Sequence, residues 1–76
     1  MHTAYIMVNT NMGAETKVTN DLRKFEAVKE IYGVYGVYDL VVKVEAETVE
    51  KLKMAISDNI RTIENIRTTL SMIVVK

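Results

Sequence analysis

Two hydrophobic periodicities alternate along this chain, and their order restricts the possible folds more than any other feature. Apolar and β-branched residues dominate four short segments, as is typical of strands: Thr3–Val8, Val28–Val34, Val37–Glu45 and Ile66–Val75. Between them, apolar residues recur at intervals of three and four, as is typical of amphipathic helices: Val18, Leu22 and Phe25 after Ala14, then Val49, Leu52, Ile56 and Ile60 after Thr48. The predicted order is therefore strand, helix, strand, strand, helix, strand.

This order predicts the α+β class and a ferredoxin-like βαββαβ architecture. In that architecture four strands form an antiparallel sheet, and the two helices cover one face of it. The 76 residues predict one domain over residues 1–76. A domain of this size buries only about 60% of the surface that its unfolded chain exposes, and oligomerisation is one way to supplement so small a core.

The first and last strands carry apolar residues on both of their faces. Ala4, Ile6 and Val8 alternate with Tyr5 and Met7. In the last strand Leu70, Met72 and Val74 alternate with Ile73 and Val75. Because two helices cover only one face of the sheet, the other face needs a second copy of the chain. We therefore predict a sheet-to-sheet homodimer, a dimeric α+β barrel, that assembles into higher even-numbered oligomers.

The composition excludes several classes of protein. Ten basic and ten acidic side chains cancel, which leaves no electrostatic footprint for nucleic acid or an anionic membrane. Cysteine is absent, which excludes disulfides and thiolate metal sites. No apolar run is long enough for a transmembrane helix, and no signal peptide follows Met1. We expect a cytoplasmic chain that contacts no membrane and, alone, no DNA.

Residues suited to catalysis or metal binding are sparse. The single histidine, His2, lies at the start of the chain, and neither Ser57 nor Ser71 has a credible histidine partner. The acidic run of Glu45, Glu47 and Glu50 has the spacing of a solvated face. No phosphate-binding or dinucleotide-binding motif is present. We predict no catalytic residue, no metal and no cofactor.

The glycine turn before the third strand is the strongest candidate for a ligand site. It combines Tyr35, Gly36, Tyr38 and Asp39, while the last strand begins with three hydroxyl-bearing residues, Thr68, Thr69 and Ser71. Backbone amides, hydroxyls and one carboxylate suit a small zwitterion. Two alternatives stay open: Asp39 can instead satisfy nearby backbone amides, and the hydroxyl-bearing residues can reflect ordinary β-propensity.

The hairpin and the ending of the chain together resemble the Lrp/AsnC effector domain, also called the RAM domain. Gly36–Val44 is similar to the G-x-Y-D-hydrophobic hairpin of that family. The ending is similar to the family's V-x-x-T-x-T-x-hydrophobic pattern over three parts of the chain, Ile60–Ile63, Ile66 and Thr69–Val75. The resemblance covers Thr3 to Lys76 in the right order and spacing.

The resemblance implies a non-enzymatic regulator of amino-acid metabolism, whose dimers join into rings. In that family a small amino acid binds between dimers, near the hairpin of one subunit and the last strand of a neighbour. The implied ligand-binding residues are Gly36, Tyr38 and Asp39 on the hairpin motif, Thr69 and Ser71 on the T-x-T motif, and Tyr35 and Val37 beside the hairpin. Because Met1 stands directly before the first strand, the chain resembles stand-alone members that lack the helix-turn-helix and act alone or with full-length relatives.

Two departures from the family pattern concern the ending. Ser71 replaces the second threonine, and Glu64-Asn65 replaces the usual Pro-Gly turn, where asparagine tolerates the left-handed conformation. They leave the identity of the ligand more open than the fold. Two other functions also stay open, a small dimeric α+β barrel enzyme of the oxygenase or isomerase kind and a purely structural assembly domain.

Overall fold

The computed structural model describes residues 1–75, and Lys76, which the predicted domain includes, lies outside the described residues. The described elements are β1 (His2–Thr10), α1 (Glu15–Leu22), β2 (Val28–Gly33), β3 (Leu40–Ala46), α2 (Val49–Met54) and β4 (Ile66–Ile73). A π-helical turn over Ala55–Asn59 and a 3₁₀ turn over Ile60–Thr62 extend α2. The predicted order of elements and the ferredoxin-like class are confirmed.

The four strands form one antiparallel sheet in the order β2-β3-β1-β4. The central strand β1 pairs with β3 on one side, where Ile6 lies opposite Val42, and with β4 on the other, where Ile6 lies opposite Ser71. Directly opposed residues point to the same face of a sheet. This register therefore fixes which side chains meet the helices and which remain on the other face.

The hydrophobic core lies between the sheet and the helices. It consists of eleven buried aliphatic residues: Ala4, Ile6, Val8, Val18, Leu22, Leu40, Val42, Val44, Leu52, Ile56 and Ile60. The predicted stripes of both helices therefore supply buried residues, and every second residue of β1 and β3 completes the layer. We refer to this side of the sheet as the helix face and to the opposite side as the open face.

The two helices differ in how their N-termini are capped. The Thr48 side chain accepts a hydrogen bond from the backbone N–H of Lys51 over 3.1 Å, as expected of an N-cap residue. At the start of α1 no side chain caps the helix, and Ala14 holds the N-cap position. Glu15 gives that first turn a negative charge, which is favourable beside the positive end of the helix dipole.

Four predicted boundaries were wrong by two or three residues, and the first is the end of β1, which lies at Thr10 and not at Val8. Helix α1 ends at Leu22, so Phe25 lies in the following turn, where its N–H donates to the Leu22 carbonyl. Strand β3 begins at Leu40 and not at Val37, because residues 34–39 form the loop that contains Gly36 at φ 128°. Strand β4 ends at Ile73, two residues before Val75.

The turn before β4 matches its prediction, since Asn65 adopts the left-handed conformation with φ 72°. Among residues 1–75 no helix is both long and apolar enough to cross a membrane.

Candidate functional site

One end of the sheet gathers the β2–β3 loop, the end of β1 and the start of β4. The backbone N–H of Asp39 donates to the Val8 carbonyl over 3.0 Å, and Thr69 lies opposite Val8 on the other side of β1. The backbone N–H of Asn11 donates to the Asn65 carbonyl over 2.8 Å. The strand register thus brings both halves of the predicted ligand site to this end, which we call the hairpin end.

Asp39 holds the hairpin against β1. Its Oδ2 accepts hydrogen bonds from the backbone N–H of Thr10 over 2.9 Å and from the Thr10 hydroxyl over 3.4 Å. Thr10 is buried, so the carboxylate satisfies a donor that water does not reach. Within residues 1–75 no group donates to Oδ1. Asp39 therefore has the structural role that the sequence left open, and it retains one oxygen for a further partner.

An open groove lies beside Asp39 at the hairpin end. Its lining residues are Glu15, Gly33, Val34, Tyr35, Asp39 and Leu40. The Tyr35 side chain is fully exposed above it, and Val37 is largely exposed nearby. Gly36 has a φ of 128°, and a Cβ added there would meet nothing within 4 Å. The backbone at this turn is consequently open to an approaching molecule.

The hydroxyl-bearing residues of β4 lie outside the groove beside Asp39, although they belong to the same end of the sheet. Thr69 and Ser71 face the helices, since they lie opposite Val8 and Ile6. They do not line the groove beside Asp39, because β1 separates β4 from β3 and two strand spacings amount to about 10 Å. The Ser71 hydroxyl is buried and has no hydrogen-bond partner among residues 1–75. One chain therefore brings Tyr35 and Asp39 to one groove but leaves Thr69 and Ser71 apart from them. Gly36, Val37 and Tyr38 belong to the same loop but do not line that groove.

The sequence reasoning missed two residues of the hairpin end, Thr10 and Glu15. Thr10 continues the inward phase of Ala4, Ile6 and Val8, and a polar residue in that phase needs a buried partner. This signal was present in the sequence and would have pointed to Asp39. Glu15 carried no comparable signal, because only the packing of α1 beside the loop brings it to the groove.

The open face of the sheet carries two rows of side chains across the four strands. One row is apolar and aromatic throughout, with Leu70, Met7, Val41 and Tyr32 in order from β4 to β2. The other changes from apolar to charged, with Met72, Tyr5, Lys43 and Glu30 in the same order. Leu70 and Met72, two residues apart on β4, both remain about half exposed and form one apolar surface.

The charged end of the second row is held by contacts within the chain. The Tyr32 hydroxyl donates to Oε1 of Glu30, and Nζ of Lys43 lies 3.5 Å from Oε2 of Glu30. The Tyr32 hydrogen bond and the Lys43 charge lower the pKa of Glu30, while the Glu30 charge raises the pKa of Lys43. Neither this cluster nor any other group among residues 1–75 is arranged to hold a metal ion.

Comparison with known proteins identifies relatives of two kinds. Over 73 residues, 96% of this chain, the sequence is 34% identical to the HTH-type transcriptional regulator FL11 of Pyrococcus abyssi. The chain spans about half of the length of that regulator, 48%. It is also 39% identical over 61 residues to a homocitrate synthase of Sulfurisphaera tokodaii, of which it covers 13%.

Solved structures share the whole fold. The crystal structure of FFRP-DM1 matches with a TM-score of 0.93 and 43% identity, covering 99% of this chain and 100% of that one. A structure of the Neisseria meningitidis transcriptional regulator NMB0573 in an L-Met complex matches with a TM-score of 0.87. It is only 17% identical, covers 99% of this chain and 50% of that one, and so shows the fold alone. The family model of the Lrp/AsnC ligand binding domain matches residues 3–76, and the chain belongs to this family.

Proposed function

We propose that this chain is a non-catalytic effector module that binds a small amino acid at the hairpin end and acts through its assembly. The observation that carries the proposal is the Asp39 carboxylate, which uses one oxygen to hold Thr10 and has the other free beside an open groove. A carboxylate in such a position suits the ammonium group of an amino acid. The exposed backbone around Gly36 offers N–H donors of the kind that a ligand carboxylate needs.

The proposal includes a dimer formed through the open face. The apolar row from Leu70 to Tyr32 gives that face the aromatic and methionine content that interfaces favour. A second copy is the cover most consistent with a small domain that has helices on one side only. Higher even-numbered oligomers would then bring the hairpin end of one dimer to β4 of another, which is how Thr69 would reach a ligand bound near Asp39.

Membership of this family supports ligand binding more directly than it supports any one process that the ligand would control. The matching family model describes a ligand-binding domain, and the regulator FL11, to which this chain is similar, is a transcriptional regulator. The Neisseria structure, which shares this fold, contains L-Met. We propose that the chain modulates transcription indirectly in the cytoplasm, alone or with full-length relatives, and that it does not itself read DNA.

The similarity to homocitrate synthase favours a second role for the same ligand-binding domain, the control of an enzyme. Similarity to this chain covers 13% of that enzyme, so a related segment occurs within a catalytic protein. A transcriptional regulator and an enzyme can both bind an effector, but DNA recognition is a function of the regulator alone. Control of an enzyme is therefore the second candidate function, with the hairpin end as the binding site in both cases.

A thermal-shift screen of the twenty amino acids, followed by calorimetry, tests the proposal. A ligand present at about 100 times its dissociation constant stabilises a fold by about 2.7 kcal/mol. We expect at least one amino acid to raise the melting temperature. If no amino acid of any kind binds the unaltered protein at millimolar concentration, the sensing proposal is wrong and a structural assembly role replaces it.

Asp39→Asn is the sharpest variant for the site. Its amide oxygen can still accept from Thr10, so the fold should be retained, but the charge that pairs with an ammonium is lost. We expect amino-acid affinity to fall at least tenfold, since a hydrogen bond to a charged group contributes about 1.5–3 kcal/mol and about 1.4 kcal/mol is tenfold. Glu50→Gln on exposed α2 removes the same charge away from the site and serves as the control. Equal affinities of both variants would exclude Asp39 as a ligand contact.

Thr69→Val tests the contribution of β4. The substitution removes the hydroxyl and keeps the shape, and half-buried β4 tolerates a β-branched residue. A weaker affinity with unchanged oligomeric state would support a contact from a neighbouring subunit. Unchanged affinity would restrict the site to the hairpin.

A further inference from the structure

The groove at the hairpin end continues along α1. Its second part is lined by residues of α1 and of the sheet beneath it: Glu15, Thr16, Thr19, Asn20, Arg23, Ile31, Gly33 and Leu40. The two parts share Glu15, Gly33 and Leu40. They therefore adjoin each other between the helix and the β2–β3 hairpin, and we call the two parts together the α1 groove.

The α1 groove has opposite charges at its two ends. Asp39 and Glu15 lie at the hairpin end, and Arg23, directly after α1, lies at the other. The neighbouring lysines of α1 and its following turn, Lys17 and Lys24, both pair with Asp21. Within residues 1–75 neither Glu15 nor Arg23 lies within ion-pair distance of an opposite charge. Glu15 and Arg23 thus form no ion pair within residues 1–75, whereas Lys17 and Lys24 nearby both do.

The floor of the α1 groove between these charges is apolar, and open space lies above it. Gly33 lies opposite Leu40 and Ile31 lies opposite Val42, so these residues face the helix side of the sheet. Leu40 is buried and Ile31 is half-buried. A Cβ added at Gly33 would meet nothing within 4 Å, and its φ is not in the left-handed region. The missing side chain leaves open space directly on the groove floor.

We propose that the α1 groove binds an elongated zwitterion, a molecule whose ammonium and carboxylate are joined by a chain of methylene groups. The inference rests on the proposed function and names the chemical class of its ligand. The ammonium pairs with Asp39 and Glu15, and the methylene chain lies over Leu40 and Gly33. In this ligand class the carboxylate pairs with Arg23 instead of the backbone N–H groups around Gly36. The Cα atoms of Glu15 and Arg23 are about 12 Å apart along the helix, a span that favours separated charges over adjacent ones.

A series of amino acids of increasing length tests this assignment by calorimetry. The probes are glycine, β-alanine, γ-aminobutyrate, δ-aminovalerate and ε-aminocaproate, in which the two charges move progressively apart. We expect affinity to rise at least tenfold from glycine to the longer members. Caproate lacks the ammonium and hexylamine lacks the carboxylate, so each should bind at least tenfold more weakly than ε-aminocaproate.

Two substitutions test whether ε-aminocaproate binds in the α1 groove. Arg23→Gln should lower the affinity for ε-aminocaproate at least tenfold, whereas Lys24→Gln, which alters a charge paired with Asp21, should leave it unchanged. Gly33→Ala adds one methyl group to the groove floor without backbone strain. It should weaken ε-aminocaproate binding several-fold and leave the melting temperature equal or higher.

The outcomes separate this inference from the proposed function. If common α-amino acids bind, and Asp39→Asn weakens them, but affinity does not rise with charge separation or Arg23→Gln has no effect, the elongated ligand class is wrong and the effector site stands. If neither the twenty amino acids nor the longer series binds, both are wrong. A length-dependent rise in affinity that Arg23→Gln abolishes establishes the α1 groove as the site.

Discussion

The two faces of the sheet differ in what covers them, although they share the same strands. On β1, Ala4, Ile6 and Val8 are fully buried under the helices, whereas Tyr5 between them remains 36% exposed. The buried residues of the helix face are aliphatic except for Thr10, as is typical of a core. The open face carries aromatic and methionine side chains, which protein interfaces favour, and the charged residues Lys43 and Glu30 lie at one end of it. The comparison teaches that the chain completes one layer itself and leaves the other uncovered, which is the face where we propose that a second copy packs.

The largest effect is expected from a substitution on the helix face. Ile6→Ala removes a fully buried side chain from the centre of the core, between β3 and β4. Such truncations destabilise by about 2–5 kcal/mol, because the cavity is only partly refilled. Chemical denaturation should show this loss at every protein concentration. A loss below about 1 kcal/mol would mean that the helix face is less tightly packed than its burial indicates.

A charge on the open face should act on assembly instead. Met7→Asp places a carboxylate in the middle of the apolar row, where a second copy would have to bury it without a partner. We expect sedimentation velocity to show monomer and the melting temperature to fall and become independent of concentration. Ser57→Asp, on the exposed side of the turn after α2, is the matched control and should change neither property. A Met7→Asp protein that stays dimeric would remove this face from the interface.

The smallest effect is expected from the charged end of the open face. The Tyr32 hydrogen bond and Lys43 lower the pKa of Glu30 from its ordinary value of 4.5. A carboxyl group whose pKa is lower in the folded state contributes stability above that ordinary value, and the contribution is lost as pH falls through the lower, folded value. Melting temperatures should therefore decline slightly more in the unaltered protein than in Glu30→Gln as pH falls below 4.5 and through the lower, folded value. Identical acid profiles would show that these contacts contribute nothing measurable, as many exposed ion pairs do.

Much of this architecture was predictable because periodicity reports burial directly. The alternation in β1 gave both the strand and its two apolar faces, and the spacing of Leu52, Ile56 and Ile60 gave the buried stripe of the second helix. The left-handed Asn65 followed from side-chain chemistry. The start of β3 did not follow, because the apolar residue Val37 belongs to a loop whose path Gly36 and the Asp39–Thr10 contact determine.

The candidate site was predictable only in part. Short-range patterns located Tyr35, Gly36 and Asp39 on one turn, and the structure places Tyr35 and Asp39 beside one groove. Glu15 and Arg23 are distant in sequence from that turn, and only the packing of α1 against the sheet places Glu15 beside it and Arg23 farther along the same groove. Thr69 and Ser71 carried the right hydroxyl chemistry, yet the strand register turns both towards the helices. Their place in a site depends on assembly, which one chain does not specify.

Multi-angle light scattering of the unaltered protein across micromolar concentrations tests most directly whether the open face meets a second copy. The account predicts the mass of a dimer or of a larger even-numbered oligomer, with no folded monomer in equilibrium at the lower end of that range. The same samples, followed by circular dichroism, report whether the chain is folded. A folded monomer at micromolar concentration would contradict the account, because the open face would then be stable in water without a partner.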